Sequence, residues 1–498
     1  MSLARGGFRV RSALLGLWTS CVVACGSSDR AEPTVVASVD QLMDPQTCAG
    51  CHPKQYEEWA SSMHAYAADD PLFLAMNRRG QREAQIGSFC VNCHAPMAVR
   101  TQATTDGLNL DGLPQKLKGV TCYFCHSVDA VQGTHDSPLH LAEDGVMRAE
   151  FSDALPNPVH SSNYAALLDR NRLESSQLCG SCHDIVNGHD VHLERTFEEW
   201  QSTAFAEAKV GSTCPQCHMT RSTTMEPAAS VGGAPLRYLN NHRFPAVDLP
   251  LTPWPSSDVL GQATQRFLDT TLQSALCVRG SATNAQLQVV LDNVAAGHSF
   301  PSGAAQDRRV WLELKAYSAG KVIYQSGVRQ DGEALAGTDT SDLSWFGDCL
   351  LNEQAEQVHM FWEATDSESS LLPGQATFDS SDPRYYQSHV LNRFPQQAAS
   401  IASYPDRVTL NLRLSPFGLD VFDDLVATGD LTDQGGTTTE AMRAALATRS
   451  IGQELEWTPD SASEVFTDRG LPISCVSANN LRANSDTVPA VAHRRCGP

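Results

Sequence analysis

Five pentapeptides of the form Cys-x-x-Cys-His punctuate the first half of the chain: Cys48 to His52, Cys90 to His94, Cys122 to His126, Cys179 to His183 and Cys214 to His218. Two thiols three positions apart on one helical turn reach both vinyl groups of a porphyrin. The histidine that follows lies beneath the ring and offers its imidazole to iron. The pattern predicts five covalently attached c-type haems, bound by Cys48 and Cys51, Cys90 and Cys93, Cys122 and Cys125, Cys179 and Cys182, and Cys214 and Cys217. Their proximal iron ligands are His52, His94, His126, His183 and His218. A thioredoxin-like pair would occur once with no histidine after it, and zinc ribbons do not require a histidine behind every pair. One such pentapeptide can arise by chance; five cannot.

Each iron has a sixth position, and eleven further histidines compete for it. Seven of them, His64, His135, His140, His160, His189, His192 and His242, precede residue 250. Two imidazoles on one iron keep it low-spin and six-coordinate in both oxidation states, so little moves on electron transfer and potentials lie lower than with methionine. Met97 and Met219 sit too close to their own motif histidines to cross the ring, which leaves Met63 as the possible thioether.

These residues need elements to hold them. The 498 residues favour two or three domains, and a hydrophobic fraction of 41% suits a soluble protein. A net charge of −21 offers no basic stripe to phosphates and excludes nucleic acid as a partner. The acidity reads as a solvated surface, or as a field steering basic redox partners. Residues 1–25 read as a signal peptide, with Arg5, Arg9 and Arg11 before a short uncharged run, too short to span a bilayer. The run ends in Val22-Val23-Ala24-Cys25, similar to a bacterial lipobox. That likeness implies a lipid anchor at Cys25, and Gly26 behind it favours the outer membrane; the expected location is the periplasm or cell surface. Loss of residues 1–24 removes three arginines and no acid, giving a mature charge of −24. A polar tether follows over 26–43.

The expected fold is mixed. Residues 44–249 read as a mainly α and irregular pentahaem domain whose porphyrins supply the missing core, because the chain shows no long hydrophobic period there. Helical signals run from Pro53 to Tyr66 and from Thr196 to Lys209. Three prolines between Asp248 and Pro255 make a stiff, extended linker. Residues 256–498 read as a β-sandwich-like domain with small helices. A helix is expected over Asp258 to Ala275, then strands over Leu287 to Val294, Val310 to Tyr317, Val322 to Ser326 and Val408 to Leu414, with helices over Phe422 to Val426 and Thr439 to Thr448. Four cysteines here, Cys277, Cys349, Cys475 and Cys496, predict two disulfides with three possible connectivities.

The stretch Cys51-His-Pro-Lys-Gln-Tyr-Glu-Glu-Trp-Ala-Ser-Ser-Met-His-Ala65 resembles the opening of multihaem cytochromes of the cytochrome c-554 family. Gly119 to His126, Cys179 to Asp184, Glu194 to Trp200 and Cys214 to Met219 are similar to that family's later motifs, so the likeness covers roughly residues 46–245. The resemblance implies His64, His160 and His242 as distal ligands. Gly297-His-Ser-Phe-Pro-Ser-Gly303 is similar to a Gly-His-x-x-Pro-x-Gly element of larger members, whose histidine reaches back onto a haem. It implies His298 as a fourth distal ligand, with flanking glycines that let the backbone approach a flat ring. For the remaining iron His135, His140 and His192 stay open, and without any of them it is five-coordinate. The leading functional expectation is a relay of electrons between redox partner proteins; the alternative is an oxidoreductase acting on a small nitrogen or sulfur compound at an open haem. Related enzymes often carry lysine in place of a motif histidine, and all five motifs here end in His.

Overall fold

The computed structural model describes residues 37–155, 157, 159–281, 284–335, 343–379, 381–382, 388–393, 404–462, 464–468, 471–477, 487–489 and 496–497. The residues expected to form a signal peptide, with Cys25, and His493 lie outside the described residues, as does the side chain of His389. Among the described residues no helix is long and apolar enough to cross a membrane. From Val39 the chain is already helical, over Val39–Met43, with Leu42 and Met43 buried.

The first half is built of short helices, each ended by a local device. The expected helix from Pro53 to Tyr66 forms as two, Pro53–Ala60 and Met63–Tyr66. Ser61 and Ser62 break it by donating their hydroxyls to the carbonyls of Glu58 and Trp59. The Ser62 hydroxyl then caps the second helix by accepting from the Ala65 N–H. Thr203 likewise ends the helix Thr196–Gln201 and starts a 3-10 turn, Ala204–Ala206, short of the expected Lys209.

The longest helix of this half, Pro71–Ala84, is not among the helices expected from the sequence. Asp70 caps it, accepting from Leu72 N–H, and Pro71 supplies its first turn. Its N-terminal half is apolar all round because it lies between two cores. Phe73 and Leu74 join Val91, Met97, Phe124 and Val128, while Leu72, Ala75 and Met76 pack with Met360, Phe422, Leu425 and Met442. The haem-motif half therefore has a modest apolar core of its own, against the expectation of none.

The strands come later. The helix Ser257–Thr271 stops before the expected Ala275, and Leu272–Ser281 is a strand between Asn284–Asn293 and Leu471–Ser477. These three belong to a six-stranded sheet with Glu464–Asp468, Ser388–Arg393 and Thr487–Pro489. A second sheet pairs Lys321–Ser326, Arg309–Ser318, Arg407–Ser415 and Arg449–Trp457, with Trp345–Phe346 beside the long central strand. Alternate residues of both sheets meet in one cluster. Leu287, Val289 and Leu291 face Val310, Leu312 and Leu314, which stand opposite Leu414, Leu412 and Leu410 in register. The helices Leu419–Ala427 and Thr439–Ala445 lie over the expected positions. Disulfides join Cys277 to Cys475 and Cys349 to Cys496, selecting one of the three connectivities.

The segment between the halves has neither helix nor strand before Ser257, as its prolines require, and it is packed along its length. Leu251 is buried, Trp254 meets the Tyr66 ring edge-on at 4.8 Å, and Thr252 bonds the Tyr66 hydroxyl at 2.8 Å. Arg79 and Arg82 of the long helix pair with Asp424 and Asp430 of the second half.

Candidate functional site

Each Cys-x-x-Cys-His motif winds through one helical turn. The histidine N–H reaches back to the carbonyl of the first cysteine, at 2.7 Å for His52, 3.2 Å for His94 and 3.1 Å for His183. The third and fifth motifs start helices Cys122–Ser127 and Cys214–His218, capped by the hydroxyls of Thr121 and Thr213. The winding turns both thiols and the imidazole of every motif toward one continuous cavity of about 1460 Å³, lined by all ten motif cysteines and all five motif histidines. His64, His160, His242 and His298 line it as well.

Three of the four sit opposite a motif histidine. Ring centres are 6.5 Å apart for His52 and His160, 6.2 Å for His64 and His183, and 6.4 Å for His126 and His242. An imidazole nitrogen about 2 Å from a metal ion places its ring centre about 3 Å away, so two imidazoles in trans stand roughly 6 Å apart. The residues present fit a bis-histidine haem at three positions. His298 comes from the loop between strands Asn284–Asn293 and Arg309–Ser318, and lies close enough to His218 and His183 for their charges to act on it. Gly297 has φ +73° and its backbone faces the Phe205 ring, where a Cβ would stand 3.6 Å away.

The imidazoles are prepared for iron. Seven of the nine present Nδ1 to a backbone carbonyl: His52 to Ala228, His94 to Ala67, His126 to Arg148, His218 to Pro245, His160 to Ser161, His242 to Asn240 and His298 to Ser299. A carbonyl only accepts, so Nδ1 carries the proton and Nε2 keeps its lone pair for a metal. Burial also disfavours the imidazolium, with neighbouring histidines adding to it. It pushes His64 down to about 3 and His183 down to about 4. His242 and His298 also fall to about 4, burial again leading.

The thiols show which motifs are neighbours. Cys48 lies within hydrogen-bonding reach of Cys122, Cys93 of Cys182, and Cys179 of Cys214. Cys125 is near enough to Cys179 and Cys182 to feel their charge. The first motif thus adjoins the third, the third adjoins the fourth, and the fourth adjoins the second and fifth. Nothing in the linear spacing carried that order.

Among the described residues His94 and His218 lack a partner imidazole at the separation of the three pairs. Phe267 stacks on His218 at 5.5 Å and 15°, with His298 nearby, and Phe73 stacks on His94 at 4.1 Å and 2°. The three histidines left open for this position do not reach the cavity: His135, His140 and His192 are 44%, 55% and 50% exposed, and face Asp136, Asp129 and Glu198. Met97 is buried in the apolar core, while Met63 and Met219 line the cavity.

A helical, cysteine- and histidine-lined cavity of this kind defines a multihaem c-type cytochrome with covalently bound haem c, an electron-transfer protein, and comparison with known proteins agrees. Residues 47–127 match the family described as cytochrome c554 and c-prime. The chain is 27% identical over 155 residues to the cytochrome c-type protein NrfH of Wolinella succinogenes, covering 29% of this chain and 67% of that protein. Its fold is similar to the crystal structure of a penta-haem cytochrome c552 from Thermochromatium tepidum, with a TM-score of 0.54 and 21% identity over 82% of this chain and 97% of that one.

Proposed function

We propose that this protein is an exported relay of single electrons, carrying five haem c groups between a respiratory donor and an acceptor outside the inner membrane. The observation that carries the reading is the set of opposed imidazoles along one cavity. In this reading the ten motif cysteines hold five porphyrins, which fill the cavity and complete the core. His52, His94, His126, His183 and His218 would each hold an iron, joined by His160, His242, His64 and His298 at the first, third, fourth and fifth sites. Bound haem supplies the one-electron chemistry. The chain fixes the tautomer of seven of these imidazoles through backbone carbonyls, and burial disfavours charge on His52, His64, His94, His126, His183, His218, His242 and His298. The adjacency of the motifs would line up haems at the first, third and fourth sites, with those of the second and fifth beside the fourth.

The signal segment and Cys25 support a lipid-anchored protein of the periplasm or cell surface. Its acidic surface suits basic redox partner proteins. A reductive titration tests the relay: five electrons per chain, with the mass of five haems, is the expected result, and fewer of either contradicts it. The unopposed His94 favours a second reading, in which the second iron stays five-coordinate and acts on a small nitrogen or sulfur compound. Cyanide or nitric oxide would then shift one haem in five. No shift removes that reading.

A further inference from the structure

Along the cavity wall the two halves of the molecule bury charge against each other. The strand His192–Glu194 and the helix Thr196–Gln201 bring Glu194 and Glu199. The loop after His298 brings Ser302, Asp307 and Arg308. Ser302 ties the halves together: its hydroxyl lies 2.7 Å from Glu199 Oε2 and 2.7 Å from the Thr196 hydroxyl. Arg308 holds Asp248 with both terminal nitrogens, at 2.8 and 2.9 Å.

Two carboxylates of the cluster that line the cavity are incompletely paired. Asp307 is 3% exposed; Gln306 Nε2 donates to its Oδ2 at 3.5 Å, and its Oδ1 has no hydrogen-bond partner among the described residues. The Glu194 carboxylate lines the cavity too and takes no hydrogen bond among those residues. Glu194 faces Arg308, Asp248 and Glu199. Asp307 faces Arg309 and Arg308 on one side and Asp420 and Glu194 on the other. Glu199 faces Arg195, Asp348 and Asp184. Asp248 faces Arg449 as well as Arg308. Four arginines, Arg195, Arg308, Arg309 and Arg449, thus lie among seven carboxylates, Glu194, Glu199, Asp184, Asp248, Asp307, Asp348 and Asp420. A buried cluster cannot hold that excess of negative charge fully ionised.

We propose that Glu194 and Asp307 form a proton-accepting site that couples electron entry at the neighbouring haems to proton uptake from solvent. The inference rests on haem attachment at the second and fourth motifs, since Glu194 lies near enough to Cys93 to act on it and pairs with Ile185, on the strand that follows the fourth motif. When an external donor reduces iron from the ferric to the ferrous state, one positive charge leaves the cavity. A nearby carboxylate then binds a proton more tightly and becomes a neutral acid. Burial already pushes Glu194 and Asp307 up to about 7, so the change falls near neutral pH. The sign is fixed: raising the pH removes the proton that favours the ferrous form, and the potential falls.

Midpoint potentials measured from pH 5.5 to 8.5 by optical spectroelectrochemistry test this on the holoprotein. The wild type is expected to show at least one haem component falling by up to about 59 mV per tenfold drop in proton activity, the value for one proton with one electron. Glu194→Gln with Asp307→Asn should flatten that slope. The same slope in the double variant, with haem content intact, assigns the proton to other groups and overturns the proposal. If the double variant loses haem, the two single variants are measured. Proton uptake on reducing the weakly buffered wild type, followed by an indicator dye, needs no variant, and none at all also overturns it. Haem count and electron uptake report separately on the relay.

Discussion

The two halves of this molecule meet the same requirement, a filled interior, by different means. In the second half, alternating apolar strands close two sheets over a core of Leu, Val and Trp457, and two disulfides tie distant segments of it. In the first half, fragments of helix surround a large cavity lined by cysteine and histidine, beside a smaller apolar cluster. One half carries its core in its own side chains. The other, in the proposed reading, completes its core with porphyrins, so folding and function draw on the same groups there. The loop with His298 spans the difference: it is set by the sandwich and reaches the cavity.

Removing a haem should break the comparison most strongly. Cys122→Ser with Cys125→Ser takes away the attachment at the third motif, which adjoins the first and fourth. Limited proteolysis is expected to cut widely within residues 44–249 while the sandwich strands persist; equal resistance in both halves would contradict the contrast. Next, Cys277→Ala with Cys475→Ala opens a link between residues 198 apart in sequence, a loss of roughly 2–5 kcal/mol. Denaturant unfolding followed by tryptophan fluorescence should register it, with the haem absorption spectrum unchanged. Leu312→Ala leaves a cavity at a fully packed position opposite Leu412, at a cost of about 2–4 kcal/mol by the same measurement. Lys54→Ala breaks a surface pair with Glu226 and should cost less than about 1 kcal/mol, with no spectral change.

Much of the site was legible because its chemistry demands fixed spacings. The five motifs are contiguous in sequence, and all four histidines expected as distal ligands do line the cavity. What stayed hidden depends on long-range contact. The helix Pro71–Ala84 starts with a readable Asp-Pro cap, but the meeting of two cores on Leu72 to Met76 depends on contacts far apart in sequence. Leu268, Leu272 and Ala275 continue a helical stripe, yet pairing with Asn284–Asn293 on one side and Leu471–Ser477 on the other makes Leu272–Ser281 a strand. The disulfide at Cys277 follows from that pairing, since Cys475 is its register partner. His135, His140 and His192 could not be told from ligands by type or position; their exposure and carboxylate neighbours tell them apart.

The electron paramagnetic resonance spectrum of the fully oxidised protein tests the central claim most directly. Three opposed pairs, with His298 assigned to the fifth site, predict four low-spin ferric haems and one high-spin haem per chain. Five low-spin signals would give His94 a partner that the structure does not, and two or more high-spin signals would undo the assigned pairs.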